Sequence, residues 1–215
     1  MMKAAIITKF GGPEVFEIQN RETPRVNSRE VLISVKAAGI NRPDVFQRKG
    51  HYPAPKGAVQ DIPGLEVSGT VVEKGSQVHR FQVGDEVMAL LPGGGYANYA
   101  RADEGSCILK PNNLSFEQAA SLPETMFTVW HNLFRLGRLK AKEIVLIQGG
   151  SGGIGSMAIQ LSNLFDAEVI TTVGSEQKKQ YVKDLGASKA INYKTEDFVE
   201  LVKDKGVDVI LDSIG

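Results

Sequence analysis

The sequence predicts an α/β chain in two parts: a barrel-like β domain over 1–125 and a doubly wound domain on a parallel sheet over 126–215. Three observations carry this. The run Ile144–Ile147 breaks into a glycine cluster, Gly149-Gly150-Ser151-Gly152-Gly153-Ile154-Gly155, that opens a helix-period segment. The apolar periodicity changes near residue 115, from short alternating runs to longer helical ones. Beyond that point strands and helices alternate, which requires parallel strands joined by crossover helices.

The first part reads as short strands at Lys3–Thr8, Val31–Ala37, Gly69–Val72, Glu86–Leu91, Tyr96–Ala100 and Ser106–Leu109. Gly11-Gly12-Pro13, Pro53-Ala54-Pro55, Gly84-Asp85 and Pro92-Gly93-Gly94-Gly95 separate them. Short strands punctuated by Gly and Pro are the pattern of a β barrel.

Past the change in periodicity comes a capping box, Ser115-Phe116-Glu117-Gln118, at the head of a short helix. Met126, Val129, Trp130 and Leu133 recur at helical spacing, so 123–136 is expected as one helix stopped by Gly137. Then come strand 144–148, helix 154–165, strand 168–173, helix 177–185, strand 189–192, helix 196–203 and strand 207–212. Four strands in the order three-two-one-four make the first part of a doubly wound sheet. The end at Gly215, directly after the fourth strand, is read as a shortened chain.

Gly150, Gly152 and Gly155 spell G-x-G-x-x-G after a strand and before a helix, the context in which this motif binds a dinucleotide. The first glycine makes the turn, the second admits a pyrophosphate, and the third packs helix on strand. The backbone at Gly153 and Ile154 opens the helix, whose positive end faces the phosphates.

Basic and acidic residues balance at 25 each, so no general attraction to nucleic acid or to an anionic membrane is expected. No segment is long and apolar enough for a membrane span, and the N-terminal apolar run is too short for a secretion signal. A single cysteine, Cys107, excludes an internal disulfide and fits a reducing, cytoplasmic setting.

The chain resembles the quinone oxidoreductases of the zinc-free medium-chain dehydrogenase/reductases, the zeta-crystallin-like group. The matching segments are 38–44 (Ala-Gly-Ile-Asn-Arg-Pro-Asp), 47–53 (Gln-Arg-Lys-Gly-His-Tyr-Pro), 63–70, 91–97, 119–124, 149–155, 185–187 and 191–193. The resemblance implies a GroES-like β domain, a Rossmann domain, NADPH as cofactor, and a small-molecule quinone or enone as substrate. Full-length relatives are expected to be homodimers. It also implies that Asn41 and Tyr52 line the cleft beside the nicotinamide, that Thr128 touches the nicotinamide end, and that Lys178 and Tyr193 surround the adenosine phosphate.

The residues themselves bear on cofactor and chemistry. An NAD site wants a carboxylate at the end of the second strand. Gly174 stands there instead, with Ser175 as a donor and Lys178 as a charge for a 2′-phosphate, while Glu176 is the counter-signal. One Cys and three scattered His (His51, His79, His131) cannot form a structural four-Cys zinc site, and no catalytic metal is expected. NADPH would supply hydride, and the protein polarisation. Tyr52 is the candidate donor to the acceptor oxygen, and Asn41 or Asp44 could hold a water there, or could satisfy a turn around Pro43. Two other readings stand beside quinone reduction: a 2-enoyl thioester reductase, and a truncated nucleotide-binding chain without turnover.

Overall fold

A computed structural model describes residues 1–212, in two compact units, Met1–Glu124 and Thr125–Gly215. In the first unit β1 (Met2–Ile7) pairs antiparallel with β2 (Phe16–Arg21). Five further strands form one antiparallel sheet: β3 (Glu30–Ala38), β4 (Glu66–Lys74), β5 (Glu86–Leu90), β6 (Tyr99–Asp103) and β7 (Cys107–Leu109). Their order is β6-β3-β4-β5-β7. Two register shifts against β4, at Leu32/Ile33 and Val35/Ala37, bend β3, as extra residues in one strand of a pair do. Inside the curve lie Val31, Ile33, Val67, Val71, Phe81, Val87 and Cys107, all at most 1% exposed.

Two elements of this unit were not anticipated. β2 carries the polar sequence FEIQNR, which has no clean alternation of apolar residues. Helix α1 (Arg42–Arg48) carries Pro43 in its first turn, where proline is tolerated. A helix stands where the sequence suggests a turn around Pro43.

The second unit holds a parallel sheet in the order β10-β9-β8-β11. Its strands are β8 (Ile144–Ile147), β9 (Glu168–Val173), β10 (Lys189–Asn192) and β11 (Val209–Leu211). This is the three-two-one-four arrangement of a Rossmann sheet, as the alternation predicted. Following α2 (Phe116–Ala120) and α3 (Pro123–Val129), the crossover helices are α4 (Gly153–Leu164), α5 (Glu176–Asp184) and α6 (Phe198–Val202). Val145, Ile147, Ile159, Val169 and Val182 form the core on one face; Leu146, Ile170 and Ile191 form it on the other.

The single helix expected over 123–136 is instead α-helical to Val129 and π-helical over Trp130–Leu136. Gly137 N–H reaches back five residues to the Asn132 carbonyl at 2.8 Å. The wider turn accompanies stacking of Trp130 on Phe134, with ring centroids 5.0 Å apart, and Phe165 tilts against both rings. Apolar spacing of three and four residues does not separate the two helix types.

Candidate functional site

The nucleotide half is built at the carboxyl ends of β8, β9 and β10. Gly149 turns with φ of 72°, and its N–H donates to Thr172 Oγ1 at 3.2 Å. Gly150 N–H donates to the Thr172 carbonyl at 3.0 Å, which pins the loop to β9. The three motif glycines face different constraints. A Cβ on Gly150 would collide with Thr171 Oγ1, and one on Gly155 would collide with the carbonyl of Gly149. A Cβ on Gly152 would meet only the Gly149 carbonyl, at 3.5 Å. The chain itself therefore does not demand glycine at 152, and the space beside it is open.

Gly152 is also the N-cap of α4 and has no side chain to cap it. The amides of Gly153, Ile154 and Gly155 occupy the first turn, where no preceding carbonyl of the helix can accept from them. An uncapped 12-residue helix facing open space fits the pyrophosphate of a dinucleotide.

Gly174, Ser175, Lys178 and Tyr193, the residues expected at the adenosine end, lie just beyond β9 and β10. Ser175 caps α5 by accepting from the Lys178 N–H at 3.3 Å, which leaves its hydroxyl hydrogen for a ligand. Lys178 is exposed, and Tyr193 is exposed. A Cβ on Gly174 would sit 2.7 Å from the Tyr193 hydroxyl, so glycine lets that phenol lie over the turn. Glu176 is turned toward β10: it accepts from Asn192 Nδ2 at 3.0 Å and lies 3.6 Å from Lys179 Nζ. Thr128 lies half-buried in α3, and its carbonyl accepts from Asn132 Nδ2.

The expected catalytic residues all lie in the first unit, in different settings. Tyr52 is 43% exposed, and its hydroxyl has no protein partner among the described residues. Asn41 is half-buried and donates through Nδ2 to Glu66 Oε1 at 2.8 Å. Asp44 is buried at 4% exposure, and both of its carboxylate oxygens accept hydrogen bonds. It accepts from Asn41 N–H at 2.7 Å, from the Tyr96 hydroxyl at 2.7 Å and from Gly64 N–H at 3.2 Å. Asp44 thus holds the start of α1 and the 63–64 turn together.

Glu66 and Tyr96 belong to this network and were not singled out as site residues. The second oxygen of Glu66 accepts from Glu124 N–H at 2.9 Å, at the head of α3. A Cβ on Gly39 would collide with the Glu66 carboxylate, so glycine there admits it. An acid inside the apolar run Leu65-Glu66-Val67 was the available signal, since a buried carboxylate needs partners. Burial pushes the Glu66 carboxyl up, against its hydrogen bonds from Glu124 and Asn41. Burial, with the charges of Glu66 and Asp44, pushes Glu124 up as well. Burial and then Asp44 raise the Tyr96 phenol.

A raised carboxyl pKa has a defined sign. The stability linked to Glu124 is present below its ordinary value of 4.5 and is lost as pH rises through the higher folded value. Glu124→Gln is therefore expected to raise the melting temperature at pH 7.5 and to leave it unchanged near pH 4. Melting curves at both pH values check this, and an equal gain at both would contradict it.

Cys107 is fully buried, and its thiol donates to the Asp103 carbonyl at 3.3 Å. Burial pushes its pKa up to about 12, far from a nucleophilic thiolate. Among the described residues, no group of three or more His, Cys, Asp and Glu is placed to hold a metal, and no helix is long and apolar enough to cross a membrane.

A sheet-bending β unit joined to a Rossmann unit with an uncapped glycine turn defines a dehydrogenase/reductase of the two-domain kind. The model of the alcohol dehydrogenase GroES-like domain matches residues 27–112, and that of the zinc-binding dehydrogenases matches 153–215. The chain is 36% identical over 222 residues to quinone oxidoreductase of Mus musculus, covering 100% of this chain and 67% of that one. It is 38% identical to 2-methylene-furan-3-one reductase of Solanum lycopersicum, covering 100% of this chain and 57% of the relative. Among solved structures, Escherichia coli quinone oxidoreductase complexed with NADPH superposes with a TM-score of 0.83 at 31% identity, over 99% of this chain and 66% of that one. The CurK enoyl reductase superposes with a TM-score of 0.87 at 31% identity, over 100% and 68%. The chain belongs to the medium-chain dehydrogenase/reductase family, in its quinone oxidoreductase branch, and by that membership it is an oxidoreductase. It spans about two thirds of the length of the curated quinone oxidoreductases it matches.

Proposed function

We propose that the protein reduces quinones or related conjugated carbonyls with NADPH and without a metal. The observation that carries the cofactor reading is the state of the adenosine end. Gly174 replaces the acid of an NAD site, Glu176 is engaged by Asn192 and Lys179, and Lys178 is exposed. Gly150, Gly152, Gly153, Ile154 and Gly155 would cradle the pyrophosphate, and Thr128 would bound the nicotinamide end. When bound, the nicotinamide supplies hydride.

The chain's own residues then fix positions and protons. Tyr52 has a phenolic hydrogen free to donate to an oxygen that gains negative charge. Asn41 is held by Glu66 through Nδ2 and so presents a fixed rather than a swinging amide. Asp44 keeps that arrangement in register through α1. In this reading residues 1–125 serve the acceptor and residues 126–215 the nucleotide, in a cytoplasmic protein. The single buried thiol, Cys107, suits a reducing compartment.

Reduction of 2-enoyl thioesters is the second reading, supported by the likeness to an enoyl reductase. A panel of quinones, enones and enoyl thioesters, read by NADPH oxidation with and without chelator, separates the two. Within that assay Tyr52→Phe is expected to lower turnover with NADPH affinity unchanged. Lys178→Ala is expected to cost NADPH about 1.5–3 kcal/mol, the range for a hydrogen bond to a charged group, and NADH much less. Nucleotide binding with no turnover on any acceptor would reject the enzyme reading, and chelator-sensitive activity would reject the metal-free one.

A further inference from the structure

We propose that Asn192 and Lys179 set the cofactor preference by holding the Glu176 carboxylate away from the ribose 2′ position; this rests on the NADPH reading above. Glu176 stands in the first turn of α5, two residues beyond Gly174, where a carboxylate can accept from a 2′-hydroxyl or repel a 2′-phosphate. Its oxygens point elsewhere. Oε1 accepts from Asn192 Nδ2 at 3.0 Å, and Oε2 lies 3.6 Å from Lys179 Nζ.

The holders are themselves held. Asn192 is 5% exposed at the end of β10, and its Oδ1 accepts from Lys194 N–H at 3.2 Å. That bond fixes which end of the amide faces Glu176, since the end opposite Oδ1 carries only donors. Lys179 Nζ lies 2.7 Å from Glu196 Oε2, and the same oxygen accepts from Asn192 N–H at 2.8 Å. Hydrogen bonding to Lys179 holds the Glu196 carboxyl below the usual carboxylate range, so the clamp is charged at neutral pH.

Placement makes this more than a surface ion pair. The clamp ties the first turn of α5 to the segment that follows β10, which carries Tyr193 and Lys194. The Tyr193 hydroxyl and Lys194 Cε lie 2.7 Å and 3.5 Å from the position a Gly174 side chain would take. One network therefore links the residues around Gly174 and also turns the Glu176 carboxylate toward Asn192 and Lys179.

The test is titration of NADPH and NADH against the whole protein by calorimetry, which needs no turnover. Asn192→Leu leaves the net charge unchanged and releases Glu176. It is expected to weaken NADPH about tenfold, a change of 1.4 kcal/mol, and to leave NADH unchanged or tighter. Adding Glu176→Gln to Asn192→Leu is expected to return NADPH to within about twofold of wild type, because no charge remains to be released. The swap Asn192→Asp with Glu176→Gln keeps both the Lys194 bond and the cross-strand bond, and is expected to bind NADPH as wild type does. Melting curves identify any variant that fails to fold, and the swap then carries the test. A wild-type protein without NADPH preference overturns the cofactor reading and the proposal with it. A wild-type preference that survives Asn192→Leu, or a loss that Glu176→Gln does not reverse, overturns the proposal alone.

Discussion

Gly152→Asp is expected to weaken dinucleotide binding on the order of 100-fold in a protein that remains folded, whereas Gly155→Ala is expected to fail first in stability. Gly152 is an N-cap with φ of −81°, a conformation open to any residue, and a Cβ there meets nothing closer than 3.5 Å. Aspartate is among the best N-caps, so melting is expected to change by no more than a few tenths of a kcal/mol, toward greater stability. The same carboxylate would face a pyrophosphate. At about 5 Å and an effective dielectric near 20, that repulsion is about 3 kcal/mol, on the order of 100-fold in affinity. Gly155 differs because its Cβ would fall 2.6 Å from Gly150 Cα. Helix and loop must separate, at roughly 1–3 kcal/mol for forced overpacking. Denaturant melts beside NADPH titrations check both. Equal loss of stability in the two variants would contradict the distinction drawn between these glycines.

Asp44→Ala is expected to destabilise the first unit by about 3–5 kcal/mol, the range for removing one partner from a buried charged network. Three donors lose their acceptor at once: Asn41 N–H, Gly64 N–H and the Tyr96 hydroxyl. At about 2–4 °C per kcal/mol for a chain of this size, the melting temperature should fall by roughly 10 °C. Tyr96→Phe removes one donor and leaves the carboxylate two, so a smaller loss of about 1–2 kcal/mol is expected. Any activity assay of Asp44 variants must therefore be read beside their stability. A full-strength melt for Asp44→Ala would show that these hydrogen bonds carry little net energy.

The parallel sheet was legible because a buried parallel strand, its glycine turn and its crossover helix each leave a periodic signature. β8, β9 and β10 fall within a residue of their expected places. The first unit was legible only in outline. β6 begins at Tyr99, not at the expected Tyr96, because the backbone of Tyr96 bonds to β1 and to Pro63 rather than to β3. The hydrogen bond from Tyr96 to Asp44, spanning 52 residues, likewise leaves no mark in local periodicity. The same holds for the candidate site. Gly174, Ser175 and Lys178 could be read from their distance to the glycine motif. The bonds of Glu66 with Asn41 and Glu124, of Asp44 with Tyr96 and of Glu176 with Asn192 join residues 16 to 58 positions apart, so only the folded chain assembles them.

The distribution of burial in the nucleotide half has an evolutionary consequence. Val169, Val173, Val182 and Ile191 are at most 1% exposed and carry the packing. Gly174, Ser175, Lys178 and Tyr193, which lie beyond the strand ends, are half-buried or exposed. Mutational drift among those loop residues meets little resistance from the core, whereas drift among the valines is purged as misfolding. On the proposed cofactor reading, a lineage with this architecture exchanges one nicotinamide cofactor for the other through a few loop substitutions while its scaffold passes on unaltered.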